Sequence, residues 1–397
     1  MACSRLDKWF TSWCRSKVGG MKESGVEARE IAIQCLYRID KTDSFANIIL
    51  PNLLKGKSLD QRDKNLITEI VYGATRMRRS LDWVIDRYLS VPPPTKLRSS
   101  LRAGAYQILY MRVPNHAAVS ATVSASSKKN KGVVNAILRR ISEELQINWP
   151  DEGTRLSYPE WIIDLLITDL GEKNAFGMLE KMNESPQVSV RDDGYYQDLA
   201  SQWVTDIMNV SKDDLLLDMC SAPGGKATAL ATQARKVVAC DIHESRHQLI
   251  YENKVKLSLE NLTQVISDGR YPPFSSHAFD HILVDAPCSG LGVLHRRADS
   301  RWRIKERDVK NLGKLQVELL DSSIRLLKDG GVLSYSVCTV TDQETVNVVR
   351  SIENRHPNLI PEELFHEKWR KVGNGLQILP QDSGTDGMSI FQWKLAN

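Results

Sequence analysis

The sequence lacks any long apolar segment. No run among its 397 residues approaches the ~18 apolar residues that a membrane-spanning helix needs. Residues 1–18 also lack the apolar centre of a secretory signal, because charged side chains interrupt them at Arg5, Asp7, Lys8, Arg15 and Lys17. We therefore expect a cytoplasmic protein with no membrane partner.

Cysteine is scarce and irregularly spaced. The chain has 7 cysteines, an odd number, and no two of them form a Cys-x-x-Cys pair. They are Cys3, Cys14, Cys35, Cys220, Cys240, Cys288 and Cys338. The count argues against a disulfide framework and the spacing against a structural zinc site. The sequence thus predicts reduced thiols and no bound metal.

One zinc-protease pattern is present, but its context does not fit a protease. His243-Glu-Ser-Arg-His247 matches the H-E-x-x-H spacing. It directly follows a predicted strand that ends in Asp241, and beyond it only Glu260 is a weak candidate for a third ligand. We therefore reject a zinc protease.

The net charge of +4 hides an uneven distribution. Residues 1–150 carry 25 Lys and Arg against 13 Asp and Glu, a net charge of +12, whereas residues 151–397 carry 28 against 36, a net charge of −8. A basic amino-terminal part is typical of a module that binds a polyanion such as nucleic acid. A solvated basic surface is the alternative that charge alone leaves open.

Hydrophobic periodicity divides the chain into four parts. Residues 1–21 are either a disordered tail or sequence upstream of a true start at Met21. Residues 22–146 show helical spacing and predict an all-α bundle, followed by a linker with short helices over 147–205. Strands and helices alternate over 206–397, which predicts a parallel α/β sheet. The predicted helices of the bundle are 28–39, 64–79, 80–89, 97–111 and 131–141, with a break at 91–95. The predicted strands are 215–218, 237–241, 263–267, 281–285 and 331–336.

Three of the predicted strands lead into an aspartate, at Asp218, Asp241 and Asp268. The carboxyl ends of parallel strands share one edge of the sheet, where α/β proteins bind ligands. The first aspartate precedes a tight Pro223-Gly-Gly turn that opens a helix. Asp241 suits hydrogen bonds to ribose hydroxyls, and Asp268 could accept from an adenine amino group. The three acids together favour an adenosyl site over isolated helix caps.

Two cysteines follow neighbouring strands of the same predicted sheet. Cys288 comes after the strand that ends in Asp285, and Cys338 comes after the strand 331–336. A thiolate is a suitable nucleophile for C6 of a pyrimidine, and its addition makes C5 reactive towards a methyl sulfonium. A lone buried cysteine is more often a small hydrophobe. The pair beside a candidate adenosyl site predicts pyrimidine methylation.

These motifs resemble the Sun/RsmB family, bacterial 16S ribosomal RNA 5-methylcytosine methyltransferases. The matching segments are Ile67–Arg76, Pro114–Val119, Asp218–Lys226 (Asp-x-Cys-x-Ala-Pro-Gly-Gly-Lys) and the intact Asp-Ala-Pro-Cys-Ser-Gly at Asp285–Gly290. The resemblance runs from about residue 26 to the C-terminus. It implies a NusB-like RNA-binding bundle in residues 22–146 and a class I, Rossmann-like methyltransferase domain in residues 206–397.

The resemblance also implies a cofactor, S-adenosylmethionine, and roles for the site residues. The cofactor site would comprise Cys220, Ser221, Ala222, Pro223, Gly224, Gly225, Lys226, Asp241, Asp268 and Asp285. Cys338 would be the nucleophile and Cys288 would help to release the product from C6. Asp285 and Lys226 would hold and polarise the cytosine, which must leave any stacked helix to reach the thiol. The expected partner is 16S ribosomal RNA or a small-subunit assembly intermediate, bound by a monomer.

Two positions depart from the family pattern. Val337 stands where a threonine usually precedes the nucleophile, which removes no obligatory group. Near the C-terminus the family's Asp-Gly-Phe-Phe appears as Asp386-Gly-Met-Ser-Ile-Phe. An aromatic role at that position therefore does not carry over.

Basic side chains in both parts of the chain are candidates for contacts with RNA phosphates. They are Arg76, Arg79, Arg139, Arg140, Arg296, Arg297, Arg301 and Arg303. The last four follow the Cys288 strand, where Trp302 could stack on a base. A solvated amphipathic helix is the alternative for this run.

The sequence alone leaves three other functions open. The chain could methylate another RNA such as tRNA, or it could methylate DNA with Cys288 as the attacking thiol. It could also be a non-catalytic RNA-binding assembly factor that retains the fold. The last alternative predicts no turnover of S-adenosylmethionine.

Overall fold

The computed structural model describes residues 24–42, 44–144 and 146–396. They fall into two compact units that divide between Tyr158 and Pro159. The tail predicted over residues 1–21 lies outside the described residues. Within the described ranges, no helix combines the length and the hydropathy that a bilayer crossing requires.

The amino-terminal unit is all-α. Its helices are α1 (Ser24–Thr42), α2 (Ala46–Leu54), α3 (Gln61–Arg76), α4 (Arg78–Asp86), α5 (Thr95–Tyr110), α6 (Asn115–Ala125), α7 (Lys131–Glu143) and α8 (Glu152–Leu156). The apolar faces of α1 to α7 meet in one core, with Ile31, Ile67, Leu101 and Leu138 almost fully buried. Burial of each such side chain stabilises the folded state by about 1.5–3 kcal/mol. Apolar residues at helical spacing therefore determine the fold of this unit.

Two helices are expected over residues 64–79 and 80–89, and the structure has two, with the boundary between them two to three residues earlier. α3 ends at Arg76 and α4 begins at Arg78, with Met77 between them at φ −89° and ψ 24°. Met77 still donates its N–H to the carbonyl of Gly73 and accepts from Leu81. Its side chain is 5% exposed. Beyond the bend, the N–H of Arg79 donates to the hydroxyl of Ser157 at 3.0 Å, so a residue 78 positions later helps to fix where α4 begins.

The carboxy-terminal unit is a mixed α/β structure. Its helices are α9 (Glu160–Leu170), α10 (Glu172–Lys181), α11 (Leu199–Ile207), α12 (Gly225–Ala231), α13 (Glu244–Lys256), α14 (Ser300–Arg303), α15 (Glu306–Ile324), α16 (Val346–Arg355) and α17 (Pro380–Ser383). Its strands are β1 (Leu215–Asp218), β2 (Lys236–Asp241), β3 (Leu262–Ile266), β4 (Phe279–Asp285), β5 (Leu327–Val337), β6 (Leu359–Pro361), β7 (Arg370–Val372), β8 (Gly375–Ile378) and β9 (Met388–Leu395).

These strands form one sheet in the order β3-β2-β1-β4-β5-β9-β8-β7, with β6 paired to β9 outside this path. The first five strands are parallel, as expected, and β9 runs antiparallel to β5. The prediction of an all-α unit followed by a Rossmann-like α/β unit is confirmed. The antiparallel extension β6–β9 is an addition that the sequence analysis did not foresee.

The predicted linker over residues 147–205 is not one structural piece. Its first helix, α8, belongs to the amino-terminal unit, whereas α9, α10 and α11 belong to the other unit. Asp151 caps α8 by accepting from the N–H of Thr154 at 2.5 Å. The compact units thus divide inside the predicted linker, and the limits of the four predicted parts stay predictions.

Candidate active site

The loop after β1 forms a tight turn at the carboxyl end of the parallel strands. The chain passes through Gly224, at φ +102°, into α12. L side chains rarely adopt this conformation, and a Cβ would also meet Ile250 at 3.4 Å. At Gly225 a Cβ would lie 3.4 Å from the ring of Tyr195. The two glycines keep the backbone of the turn bare, which is what close approach of a ligand requires.

Asp218 is fully buried at the end of β1. Neither of its carboxyl oxygens has a hydrogen-bond partner of normal geometry among the described residues, and the buried hydroxyl of Ser221 also lacks one. Burial raises the pKa of Asp218 to about 8, and the carboxylate of Asp285 adds to the rise. Buried polar groups are costly unless something binds them. These two side chains are therefore what a polar ligand at this edge would satisfy.

Asp218→Asn is expected to stabilise the protein progressively as the pH rises. The pKa of an unfolded aspartate is about 3.9, so the raised folded value means that stability is fully present below about pH 4 and is lost as pH rises towards 8. Asparagine does not titrate. The gain in Tm over wild type should therefore grow between pH 5 and pH 8 in scanning calorimetry. An exposed control, Asp213→Asn, should give a pH-independent difference, and the same flat result for Asp218→Asn would contradict the expectation.

Asp241 ends β2 and is tied to the loop beside it. One carboxylate oxygen accepts from the N–H of Ala222 at 3.2 Å and the other from the N–H of His243 at 2.9 Å. Both oxygens keep lone pairs for further donors such as hydroxyls. The adjacent Ile242 is 52% exposed. It offers an apolar surface at this edge that the sequence analysis did not single out.

The zinc-protease pattern has a structural explanation. His247 is buried on α13, and its Nε2 lies 3.0 Å from the carbonyl oxygen of Asp241. Across the ranges that the structure describes, no group of three or more His, Cys, Asp or Glu side chains is arranged to hold a metal ion. This histidine is therefore explained by fastening the start of α13 to the end of β2.

Asp268, just beyond β3, is already engaged by a cation. Arg270 donates to it from Nε at 3.1 Å and from Nη2 at 2.7 Å. These hydrogen bonds hold the pKa of Asp268 below its ordinary value. An adenine amino group at this position would have to share the carboxylate with Arg270. The contact predicted for Asp268 stays a prediction.

Lys226 and Asp285 meet across the start of α12 and the end of β4. The Lys226 Nζ lies 2.8 Å from Oδ2 of Asp285, and the two side chains are 8% and 30% exposed. Burial lowers the pKa of Lys226, but the Asp285 carboxylate outweighs it and the pKa is raised overall. The ammonium is therefore charged near neutral pH and remains a donor beside a partly exposed carboxylate.

The two predicted thiols are in contact. Cys288 lies in the loop after β4, Cys338 directly follows β5, and their Sγ atoms are 3.2 Å apart. The hydrogen bond from Cys288 is the main cause that lowers the pKa of Cys338; burial opposes it, and Arg297 and Lys226 assist. The same bond, together with burial, raises the pKa of Cys288. The pair is thus unequal, with Cys338 favoured as the thiolate and Cys288 as the donating thiol.

A close backbone crossing fixes the loop that carries Cys288. Gly292 donates its N–H to the carbonyl of Cys338 at 3.1 Å and accepts from the N–H of Gly387 at 2.8 Å. A Cβ on Gly292 would lie 2.0 Å from the carbonyl oxygen of Gly387. Only glycine fits this crossing without moving backbone.

Gly292→Ala is therefore expected to lower the free energy of unfolding by about 1–3 kcal/mol, the usual cost of overpacking, and to disturb the spacing of the two thiols. Chemical denaturation of the full chain measures the change. Gly177→Ala is the matched control, because a Cβ there meets only ordinary contacts at 3.5 Å and beyond and alanine favours the helix. Equal stability of both variants would contradict the role of Gly292.

The candidate RNA-binding arginines differ widely in exposure. Arg139, Arg140 and Arg297 are exposed, whereas Arg79, Arg296 and Arg303 are half-buried. Arg79 pairs with Asp151 at 3.1 Å within the amino-terminal unit, and Arg296 pairs with Asp198 and Asp386 at 2.7 Å each. These partners leave the half-buried side chains less free for phosphates than a solvated arginine.

Direct RNA contact by Arg76 and Arg301 is a correction to the sequence analysis. They are 2% and 0% exposed, so phosphates cannot reach them. Arg301 donates to the side chain of Asn183 at 2.9 Å. This partner lies 118 residues earlier in the chain. The basic run around Arg301 therefore gives no indication that this arginine has a structural role.

Two residues near the site were missed because their partners are distant in sequence. Arg191 donates to the carbonyl of Gly225 at 2.6 Å and to the hydroxyl of Thr228 at 3.2 Å, and so fastens the glycine turn. Glu344 is fully buried and accepts from Ser289, the residue after Cys288. These pairs are separated by 34, 37 and 55 residues, so no local pattern announces them.

Known proteins resemble this chain over nearly its whole length. A family model described as 16S rRNA methyltransferase RsmB/F matches residues 205–394, and a NusB family model matches residues 26–143. Ribosomal RNA small subunit methyltransferase B of Salmonella paratyphi B is 30% identical over 92% of this chain and 98% of its own. The protein of the same name from Cronobacter sakazakii is 28% identical over 94% of this chain and 99% of its own. The crystal structure of PH0851 has a TM-score of 0.75, with 19% identity over 94% of this chain and 99% of its own, which shows the likeness of fold alone.

Proposed function

Because the chain belongs to the 16S rRNA methyltransferase RsmB/F family, we propose that it transfers a methyl group from S-adenosylmethionine to C5 of a cytosine in 16S ribosomal RNA. The transfer passes through a covalent bond between Cys338 and C6 of the base. The observation that carries this proposal is the 3.2 Å contact of Cys338 with Cys288, next to the charged Lys226–Asp285 pair. A thiol whose pKa is lowered beside such a pair is typical of a catalytic site, which favours an enzyme over a factor that only binds RNA.

The residues at the carboxyl ends of β1 and β2 fit an adenosyl cofactor. The bare turn at Gly224 and Gly225 admits close approach. Among the described residues, the buried carboxyl of Asp218 has no hydrogen-bond partner of normal geometry. Asp241 has lone pairs for ribose hydroxyls, and the exposed Ile242 offers a face for a planar base. When bound, S-adenosylmethionine supplies a methyl group on a sulfonium, an electrophile for a carbon nucleophile.

Addition of the thiolate starts the reaction. The Cys338 sulfur forms a bond to C6 of the cytosine, and the C5–C6 π electrons move into the ring. The Lys226 ammonium, held by Asp285, stabilises the charge that develops there. C5 becomes the nucleophilic carbon that takes the methyl group. The Cys288 thiol keeps its hydrogen bond towards Cys338 while the latter is the thiolate.

Elimination releases the product. The C5 proton leaves to a base, for which water is the candidate, and its electron pair restores the C5–C6 double bond. The Sγ–C6 bond breaks at the same time, and the charge returns to the Cys338 sulfur. Cys288 stabilises this leaving thiolate by donating its hydrogen bond. Its own raised pKa keeps the proton available near neutral pH.

The product of the reaction tests the proposal directly. The full chain is incubated with methyl-labelled S-adenosylmethionine and, separately, with 16S rRNA, small ribosomal subunits, tRNA and duplex DNA. Digestion and mass spectrometry should then locate the label in 5-methylcytidine from 16S rRNA or from the subunits. Label in another nucleoside, in tRNA or DNA alone, or in no substrate would overturn the proposal. Only the last result would favour a non-catalytic assembly factor.

A further inference from the structure

The two thiols lie on separate loops, and the residues immediately after them are linked. Ser289 follows Cys288 and Thr339 follows Cys338, and both hydroxyl-bearing residues are buried. Their Oγ and Oγ1 atoms lie 3.1 Å apart. A contact one residue beyond each sulfur limits how far the two loops can separate.

Glu344, in the 3₁₀ turn Asp342–Glu344 after β5, closes this link. One carboxylate oxygen accepts from the N–H of Ser289 at 2.8 Å and from Nε2 of Gln316 at 3.1 Å. The other accepts from the hydroxyl of Ser289 at 2.5 Å and from that of Thr341 at 3.2 Å. All four partners donate, so the arrangement suits an acceptor-only carboxylate. Burial raises the pKa of Glu344, and the hydrogen bonds from Ser289 oppose that rise.

Two further side chains, Gln316 and Tyr335, hold Glu344 in place. Gln316 on α15 also donates to the carbonyl of Pro287, the residue before Cys288, at 2.9 Å. Gln316 and Glu344 thus bind the loop on both sides of Cys288. The Tyr335 hydroxyl on β5 donates its one proton between two acceptors, the backbone oxygen of Glu344 at 2.7 Å and Gln316 Oε1 at 3.0 Å. Glu344 is thus fixed by a helix and by the strand that leads to Cys338.

We propose that Glu344 is a positioning residue that holds the Cys288 loop against the Cys338 loop, so that the two Sγ atoms remain within hydrogen-bond distance. The inference deepens the proposed function and, for its effect on catalysis, rests on it. Glu344 is fully buried and acts through Ser289. Its negative charge also faces Cys288 and disfavours ionisation there, so it helps to make Cys338 the thiolate of the pair.

The charged groups around the two thiols determine how Glu344→Gln should change their ionisation. Cys338 faces Cys288, Arg297, Asp285 and Lys226. Glu344→Gln removes none of these groups. It places an amide NH₂ against a set of donors and neutralises the charge facing Cys288. Because the amide loosens the Cys288 loop, the hydrogen bond from Cys288 to the Cys338 thiolate is weakened. Because the charge facing Cys288 is lost, ionisation shifts from Cys338 towards Cys288.

Alkylation of the free protein by iodoacetamide, followed by mass spectrometry of the Cys338 and Cys288 peptides, reads this change without RNA or cofactor. For Glu344→Gln we expect the pH midpoint of Cys338 alkylation to rise by about one pH unit, the size of a lost hydrogen bond to the charged form. The ratio of Cys338 to Cys288 alkylation should fall. Ser289→Ala, which loses only the hydroxyl, should shift the midpoint in the same direction by less.

Glu363→Gln is the matched control, since Glu363 is an exposed residue paired with Lys371 on the same unit. It should leave the midpoint unchanged. A folded Glu344→Gln variant with the wild-type midpoint and ratio would overturn the proposal. If that variant does not fold, an unchanged midpoint in Ser289→Ala would overturn it. A shifted midpoint in a protein whose wild type makes no 5-methylcytidine would uphold the positioning role and reject the proposed function.

Discussion

Cys338→Ala is expected to abolish methyl transfer and every covalent RNA adduct, because it removes the proposed nucleophile. The loss of turnover should be at least about 10⁴-fold, on the scale seen when a covalent nucleophile is deleted. The reason lies in the unequal thiol pair, in which the hydrogen bond from Cys288 lowers the pKa of Cys338. Formation of 5-methylcytidine measures the rate, and denaturing electrophoresis of labelled RNA detects the adduct.

Cys35→Ala is the control for loss of a thiol, because Cys35 is buried in the core of the amino-terminal unit. It should retain both methylation and the adduct. An adduct that survives in Cys338→Ala and disappears in Cys288→Ala would reverse the assignment. That result would mean attack by the Pro-Cys thiol, as in the DNA methyltransferase alternative.

Cys288→Ala should trap the reaction after addition. In the proposed mechanism Cys338 can still bond to C6, although more slowly because the hydrogen bond that lowers its pKa is lost. The thiol that stabilises its departure is also gone. Turnover should fall by about 10²–10⁴-fold, the range for loss of a positioned acid, while the RNA–protein adduct accumulates. A first turnover that is faster than the steady state would show release to be the slow step. A variant that turns over at the wild-type rate, with no adduct, would exclude this role for Cys288.

The sequence predicted the parts of the fold that depend on local pattern. Runs such as Leu215–Asp218 are short, apolar and bounded by turn residues, so the five parallel strands were found to within a few residues, except for the start of β5. The acids that end or follow these strands lie at one edge because parallel strands share it. The approach of Cys288 to Cys338 could be expected for the same reason, although its 3.2 Å distance could not.

Other features depend on contacts far along the chain. β6 and β7 have 3 residues each, too few for a period to be recognised, and they exist because β8 and β9 complete the sheet. Arg301 looked like a phosphate ligand, since charge in a sequence carries no sign of burial. Glu344 was not singled out, because its partner Ser289 lies 55 residues earlier in the chain. In each case the structure depends on a partner that only tertiary packing brings close. The pattern of a single sequence does not identify that partner.

The position of β9 in the sheet has a consequence for biosynthesis. β9 pairs with β5, which carries Cys338 at its end, and also with β6 and β8. It follows every other strand of the sheet in the chain. The sheet therefore cannot be complete before residue 395 has left the ribosome. The all-α unit comes first and can fold while synthesis continues. The nascent chain would therefore acquire its helical bundle well before the sheet edge that carries Cys288 and Cys338 is complete.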